Sequence, residues 1–121
     1  MPISVLLVED SAVLRLAIKR VLNREPAIEL LGEAVNLSQA LQMAAALKPN
    51  VILMDLHLPG EREFTPGFVR SQLLLSAKHV LMMSLSNDEA AAALAKQYGA
   101  IALLDKSNLQ SSLVASILQL S

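Results

Sequence analysis

Five polar residues stand where the apolar runs of this sequence stop. Glu9-Asp10 follow the run Ile3 to Val8, Asp55 follows Val51-Ile52-Leu53-Met54, Ser84 closes His79 to Ser84, and Lys106 comes just past Ile101 to Leu104. Carboxylates brought together repel one another and call for a cation. Oxygen ligands without nitrogen or sulfur favour a hard ion, and Mg²⁺, which keeps several waters, suits Glu9, Asp10 and Asp55. Asp55 can also be a nucleophile, its carboxylate attacking a phosphoryl group to give an aspartyl phosphate. The oxygens of such a group need positive charge and donors, which Mg²⁺, the Lys106 ammonium and the Ser84 hydroxyl can supply. Each residue also has a plainer reading. Asp10 can cap a helix, Glu9 can be a solvated surface acid, Ser84 can satisfy backbone groups at a strand end, and Lys106 can be an ordinary exposed lysine.

Convergence of residues spread over nearly the whole chain requires a scaffold that brings strand ends to one edge. Val5-Leu6-Leu7-Val8 is continuously apolar, as a central parallel strand covered on both faces should be. Leu14, Ala17, Ile18, Val21 and Leu22 then form a helical stripe. The pattern repeats: a strand over Ile28 to Ala34, a helix over Ser38 to Leu47 stopped before Pro49, a strand over Val51 to Met54, and an irregular stretch from Leu56 to Gly67. A short helix is expected over about Phe68 to Ser76, then a strand over His79 to Ser84. Ser86-Asn87-Asp88-Glu89 matches a capping box opening an alanine-rich helix, and Gly99 suits its C-terminal cap. Ile101 to Leu104 is the fifth strand, and Leu109, Leu113, Ile117 and Leu120 stripe the last helix. Strict alternation implies a parallel sheet of five strands with five helices on both faces, joined by right-handed crossovers. One doubly wound domain over residues 1–121 is expected, in the flavodoxin-like order 2-1-3-4-5, which is one of the common orders of such sheets.

Composition narrows the field. The chain has 121 residues, 54% hydrophobic and 17% charged, with a net charge of −1, which fits a folded globule. No Lys/Arg block offers a footprint for nucleic acid or anionic membrane, so direct contact with either is not expected. Cys is absent, which excludes disulfides and thiol chemistry. No stretch is long and apolar enough for a membrane helix and no leader is visible, so a cytoplasmic location is expected. With only Phe64, Phe68 and Tyr98 as aromatics the core must be aliphatic.

Val-Glu-Asp-Ser at 8–11, Val-Ile-Leu-Met-Asp-Leu-His-Leu-Pro-Gly at 51–60, Met-Ser-Leu-Ser at 83–86 and Gly-Ala-Ile-Ala-Leu-Leu-Asp-Lys at 99–106 together resemble the signature set of response-regulator receiver domains. Residues 26–34 further resemble receivers that precede LuxR-type helix-turn-helix domains. The resemblance implies an acidic Mg²⁺-binding pair at Glu9-Asp10, a phospho-acceptor at Asp55, a switch hydroxyl at Ser84 and a phosphate-binding lysine at Lys106. It also implies a metal ligand in the backbone carbonyl of His57, a sensor histidine kinase as phosphodonor, and readout through the fourth helix, fifth strand and last helix, with a homodimer as one outcome. By the same resemblance a DNA-binding output domain is expected elsewhere in a parent protein. Activity is expected only toward the chain's own modification, so it is not read as an enzyme.

Departures from the family pattern bear on signal relay. Leu103 stands where an aromatic is usual, Asp105 replaces an apolar residue and could compete for Lys106, Glu61-Arg62-Glu63 replaces Met-Asp-Gly, and Pro66-Gly67 is unusual for the third helix. Two rivals follow. One is a degenerate receiver acting as an interaction module without phosphorylation. The other is a phosphohydrolase with an aspartyl-phosphate intermediate, disfavoured because such enzymes commonly carry a second Asp where this chain has His57. Ser86 reads as a helix cap, His57 as a rim residue, His79 as structural or exposed, and Met82-Met83 as core. Phe64 and Phe68, four apart, are expected to pack one helix face.

Overall fold

A computed structural model describes residues 1–120, the side chain of Glu61 excepted; Ser121 lies outside the described residues. The elements are β1 (Ile3–Val8), α1 (Ala12–Asn23), β2 (Ile28–Ala34), α2 (Leu37–Leu47), β3 (Val51–Asp55), α3 (Pro66–Ser76), β4 (His79–Ser84), α4 (Glu89–Gln97), β5 (Ala102–Asp105) and α5 (Leu109–Leu118). Short 3₁₀ turns at Glu61–Glu63 and Lys106–Asn108 precede α3 and α5. The strands form one sheet in the order β2-β1-β3-β4-β5, all neighbours parallel, as the alternation requires, and the order is the expected flavodoxin-like one. Among the described residues no helix is long and apolar enough to cross a membrane.

Alternation along the central strands splits the core into two layers. Leu6, Val8, Ile52, Met54, Val80 and Met82 face α2, α3 and α4. Val5, Leu7, Val51, Leu53, Leu81 and Met83 face α1 and α5, against Ile18, Leu22, Leu113 and Ile117. Both faces of β1, β3 and β4 are therefore apolar, which is why these strands read as unbroken hydrophobic runs. Each fully buried leucine or isoleucine contributes about 1.5–3 kcal/mol, so burial on the two layers outweighs any local helix preference. A Cβ on Gly32 of β2 would come within 2.7 Å of Met43 Cε and 3.3 Å of Leu47 Cδ1 of α2, so the free end of the Met43 side chain would have to shift to admit one.

Helix starts follow side-chain caps. Ser11 caps α1 by accepting from the Leu14 N–H, Asn36 caps α2 from Gln39, and Thr65 caps α3 from Phe68. Asp10 is thus not the cap of α1. Pro66 occupies the first turn of α3, where its missing N–H costs nothing, so the helix begins two residues before the expected start and Pro66-Gly67 belongs to it. The capping-box expectation for Ser86 is corrected. Asp88 is the cap of α4, its carboxylate accepting from the Ala91 N–H at 2.8 Å, and the Ser86 N–H donates instead to Ser84 Oγ. Gly99 follows α4 with φ +84°, the left-handed conformation expected of a C-terminal cap. Phe64 and Phe68 do stack, with ring centroids 5.7 Å apart, but Phe64 lies before α3, so the pair staples the helix start and does not share a helix face.

The lower edge of the sheet is tied by a reciprocal pair. Asn50, just before β3, accepts through Oδ1 from the Ser4 N–H at 2.8 Å and the Ser4 hydroxyl at 2.9 Å, while its own N–H donates to Ser4 Oγ at 2.8 Å. Asn50→Ala strips the Ser4 N–H of its acceptor beside a buried strand. It should lower unfolding stability by about 1–3 kcal/mol, measured as a shift in urea midpoint with unchanged slope.

Candidate functional site

The carboxyl ends of β1, β3, β4 and β5 meet at one edge, and four loops present polar residues there. Glu9 follows β1 and is fully buried, its N–H bonded to the Ala34 carbonyl at 3.0 Å. Asp10 beside it is exposed. Asp55 is the last residue of β3, paired in register with Met83, and is 7% exposed. Carboxylate oxygens of Glu9, Asp10 and Asp55 lie within 4.8 Å of one another. Lys106, at the end of β5, reaches into this cluster with Nζ 2.8 Å from Glu9 Oε1 and 2.9 Å from Asp55 Oδ2. The five residues singled out in the sequence are brought together, Ser84 included, since Asp55, Ser84 and Lys106 line one open depression of about 220 Å³ with His57, Leu85 and Ser86.

The arrangement fits a divalent cation. Three carboxylates against one ammonium leave two negative charges in a largely buried setting. Glu9 Oε1 is buried, and apart from the ion-pair contact with Lys106 it has no hydrogen bond of good geometry. Its partner atom Oε2 accepts from the Ser11 N–H at 3.0 Å, which fixes the carboxylate. Burial pushes the Glu9 carboxyl above its ordinary value, against the pull of Lys106 and Ser11. A hard, oxygen-seeking ion is what such a donor set would hold, through Glu9, Asp10 and Asp55. The His57 N–H donates to Asp55 Oδ1 at 3.3 Å, so this backbone turns tightly around the Asp55 carboxylate.

Lys106 is pulled in two directions. Burial alone would lower its pKa, but its bonds to Glu9 and Asp55 and their negative charges raise it above the ordinary value of 10.5. A lysine raised in the folded state contributes stability that is complete below its unfolded pKa and lost as pH climbs through the folded value. Thermal stability should therefore fall as pH rises above 10.5, and Lys106→Met should flatten that alkaline decline; an identical decline in both proteins would assign it to other groups.

Two features depart from the sequence reading, one missed and one read otherwise. Arg15 of α1 donates from Nη1 to the Glu9 carbonyl at 2.9 Å, while its Nε pairs with Glu33 of β2 at 3.2 Å, and Lys19 joins Glu33 at 2.9 Å. The arginine thereby ties the loop carrying the acidic pair to the next strand; its place on the polar face of α1, five residues after Asp10, was the available signal. The second is Asp105. It does not compete for Lys106, because its Oδ1 accepts from the Ser107 N–H at 2.9 Å and the Ser107 hydroxyl at 2.7 Å and caps the turn into α5. Those bonds hold its carboxyl below the ordinary range. Leu103 packs against the layer formed by α2, α3 and α4. Met82 and Met83 are core, and His79 begins β4, half-buried.

Comparison with known proteins agrees with this geometry. The family profile of the response regulator receiver domain matches residues 5–118. A protein-glutamate methylesterase/protein-glutamine glutaminase from Shewanella denitrificans is 40% identical over 108 residues, covering 88% of this chain and 27% of that protein. The nitrate/nitrite response regulator NarL of Escherichia coli is 33% identical over 88 residues, covering 73% of this chain and 40% of that protein. This chain thus spans well under half the length of these relatives. Among solved structures, the response regulator domain of Thermotoga maritima CheB superposes with a TM-score of 0.82 at 25% identity, covering 98% of this chain and 96% of that one. The signal receiver domain of a NarL from Mycobacterium tuberculosis gives 0.85 at 24% identity, over 98% and 94% of the two chains, a likeness of fold.

Proposed function

Because this chain belongs to the receiver-domain family of two-component response regulators, we propose that it is a phosphorylation switch whose acceptor is Asp55. The observation that supports this reading most directly is the Lys106 ammonium set 2.9 Å from an Asp55 carboxylate that also lies beside Glu9 and Asp10. A sensor histidine kinase presents a phosphohistidine. An Asp55 carboxylate oxygen attacks phosphorus, the new O–P bond forms as the P–N bond breaks, and the electron pair returns to the imidazole nitrogen. Glu9, Asp10, Asp55 and the His57 carbonyl would hold Mg²⁺, which neutralises charge on the transferring group. Lys106 already spans Glu9 and Asp55 and can turn to a phosphoryl oxygen, and the Ser84 hydroxyl can donate to another. Reset is hydrolysis: water attacks phosphorus, the bond to Asp55 breaks and inorganic phosphate leaves. Catalysis is confined to the chain's own modification.

The added charge biases the Ser84–Ser86 loop and the α4–β5–α5 face, where a target or a second copy of the chain can bind. Regulation of transcription in a cytoplasmic parent protein is the output we favour, on the likeness to NarL, with this domain making no direct contact with nucleic acid. The experiment is intact-protein mass after incubation with acetyl phosphate, with and without Mg²⁺. A single Mg²⁺-dependent phosphoryl adduct that is absent in Asp55→Asn is expected. A folded protein without an adduct, beside a control receiver that is labelled, would favour the phosphorylation-independent interaction module.

A further inference from the structure

The chain contains one tyrosine and no tryptophan, and the tyrosine occupies a mechanically important place. Tyr98 ends α4, is 4% exposed, and belongs to the core layer formed by α2, α3 and α4. The buried residues within α4 itself are Ala91 and Ala95, whose methyl groups grip little, and Leu94 packs on the same layer only half-buried. Tyr98 is therefore the largest buried side chain that seats the end of α4 on the sheet. Side chains on a helix lean back toward its N-terminus, so a ring at the last turn of α4 projects toward the strand ends that carry the site. It does reach them: Tyr98 shares with Met54, Asp55, Leu56, Leu58 and Met82 the wall of a cavity of about 10 Å³. Such a space is at the lower bound for one water, and its walls are mostly apolar. Close packing of this kind passes the displacement of one wall to the others and does not absorb it.

We propose that Tyr98 is a positioning residue that couples the chemical state of Asp55 to the seating of α4. The assignment rests on Asp55 being the phospho-acceptor, as argued above. When the phosphoryl group is added, Asp55 and the segment Leu56 to Leu58 adjust, the shared cavity repacks, and the ring carries the change to the end of α4.

The test uses the whole chain with Mg²⁺ and acetyl phosphate. With no tryptophan to mask it, the emission of Tyr98 should change in proportion to the phosphoryl adduct measured by mass in the same samples, and stay constant in Asp55→Asn. Amide hydrogen exchange over Glu89–Gln97 should change about fivefold or more on adduct formation in the wild type and in Tyr98→Phe, which keeps the ring. In Tyr98→Leu the adduct should still form while the exchange response disappears. Adduct formation with silent tyrosine emission overturns the coupling and leaves the acceptor assignment standing, as does a wild-type exchange response in Tyr98→Leu. Absence of any adduct overturns the acceptor assignment and the coupling with it. Should Tyr98→Leu fail to fold, the wild-type emission decides the matter alone.

Discussion

Lys106→Ala should slow phosphoryl transfer to Asp55 by about 10²–10³-fold, the usual cost of removing one preorganised donor from developing negative charge. The magnitude follows from the position of the ammonium, 2.8 Å from Glu9 Oε1 and 2.9 Å from Asp55 Oδ2, where it is mostly screened from solvent and held charged by both partners. An exposed lysine on a flexible stem would be worth far less, because water would replace it. Single-turnover labelling from acetyl phosphate at saturating Mg²⁺ measures the effect. A rate within twofold or so of the wild type would remove Lys106 from the machinery and return it to a purely structural pair.

Leu53→Ala should lower unfolding stability by about 2–5 kcal/mol, the lost transfer energy plus the cavity left behind. Leu53 is fully buried on the middle strand of the sheet, two residues before Asp55, in the layer that holds Ile18 and Leu22 of α1 and Leu113 and Ile117 of α5. Neighbours on a sheet and two helices cannot all collapse into one space, which places the cost toward the upper end. Urea denaturation monitored by circular dichroism checks it. A loss below about 1 kcal/mol would mean that this layer repacks freely and that β3 is not a rigid mount for the acceptor.

The parts of the fold written in long apolar patterns were legible. Five strands, five helices and the convergence of Glu9, Asp10, Asp55, Ser84 and Lys106 follow from runs that end at one edge, whereas the sheet order rests on the common flavodoxin-like arrangement of such units. What escaped was decided by competition between similar side chains. Ser86 and Asp88 can each cap α4, and nothing in the string shows that the helix starts at Glu89, which gives the capping place to the Asp88 carboxylate. Thr65 and Pro66 form a good helix start, yet the following glycine made the start look later. Asp105 looked like a rival for Lys106 because adjacency in sequence says nothing about direction, and its carboxylate turns to Ser107. Tyr98 carried no motif at all. Its importance depends on the smallness of Ala91 and Ala95 beside it, which only the packing reveals. Leu103, which stands where the family usually has an aromatic, packs against that same layer, whose buried ring is Tyr98 at the end of α4.

The most direct test of the central claim is the chemical location of the phosphoryl group. Labelled protein is treated with borohydride, which reduces an acyl phosphate to the alcohol, and is then digested and sequenced by mass spectrometry. The account predicts one reduced residue, Asp55, found only after incubation with phosphodonor and Mg²⁺. Phosphate carried by His57 or Ser84, or a reduced carboxylate at Glu9 or Asp10 with Asp55 untouched, would contradict it.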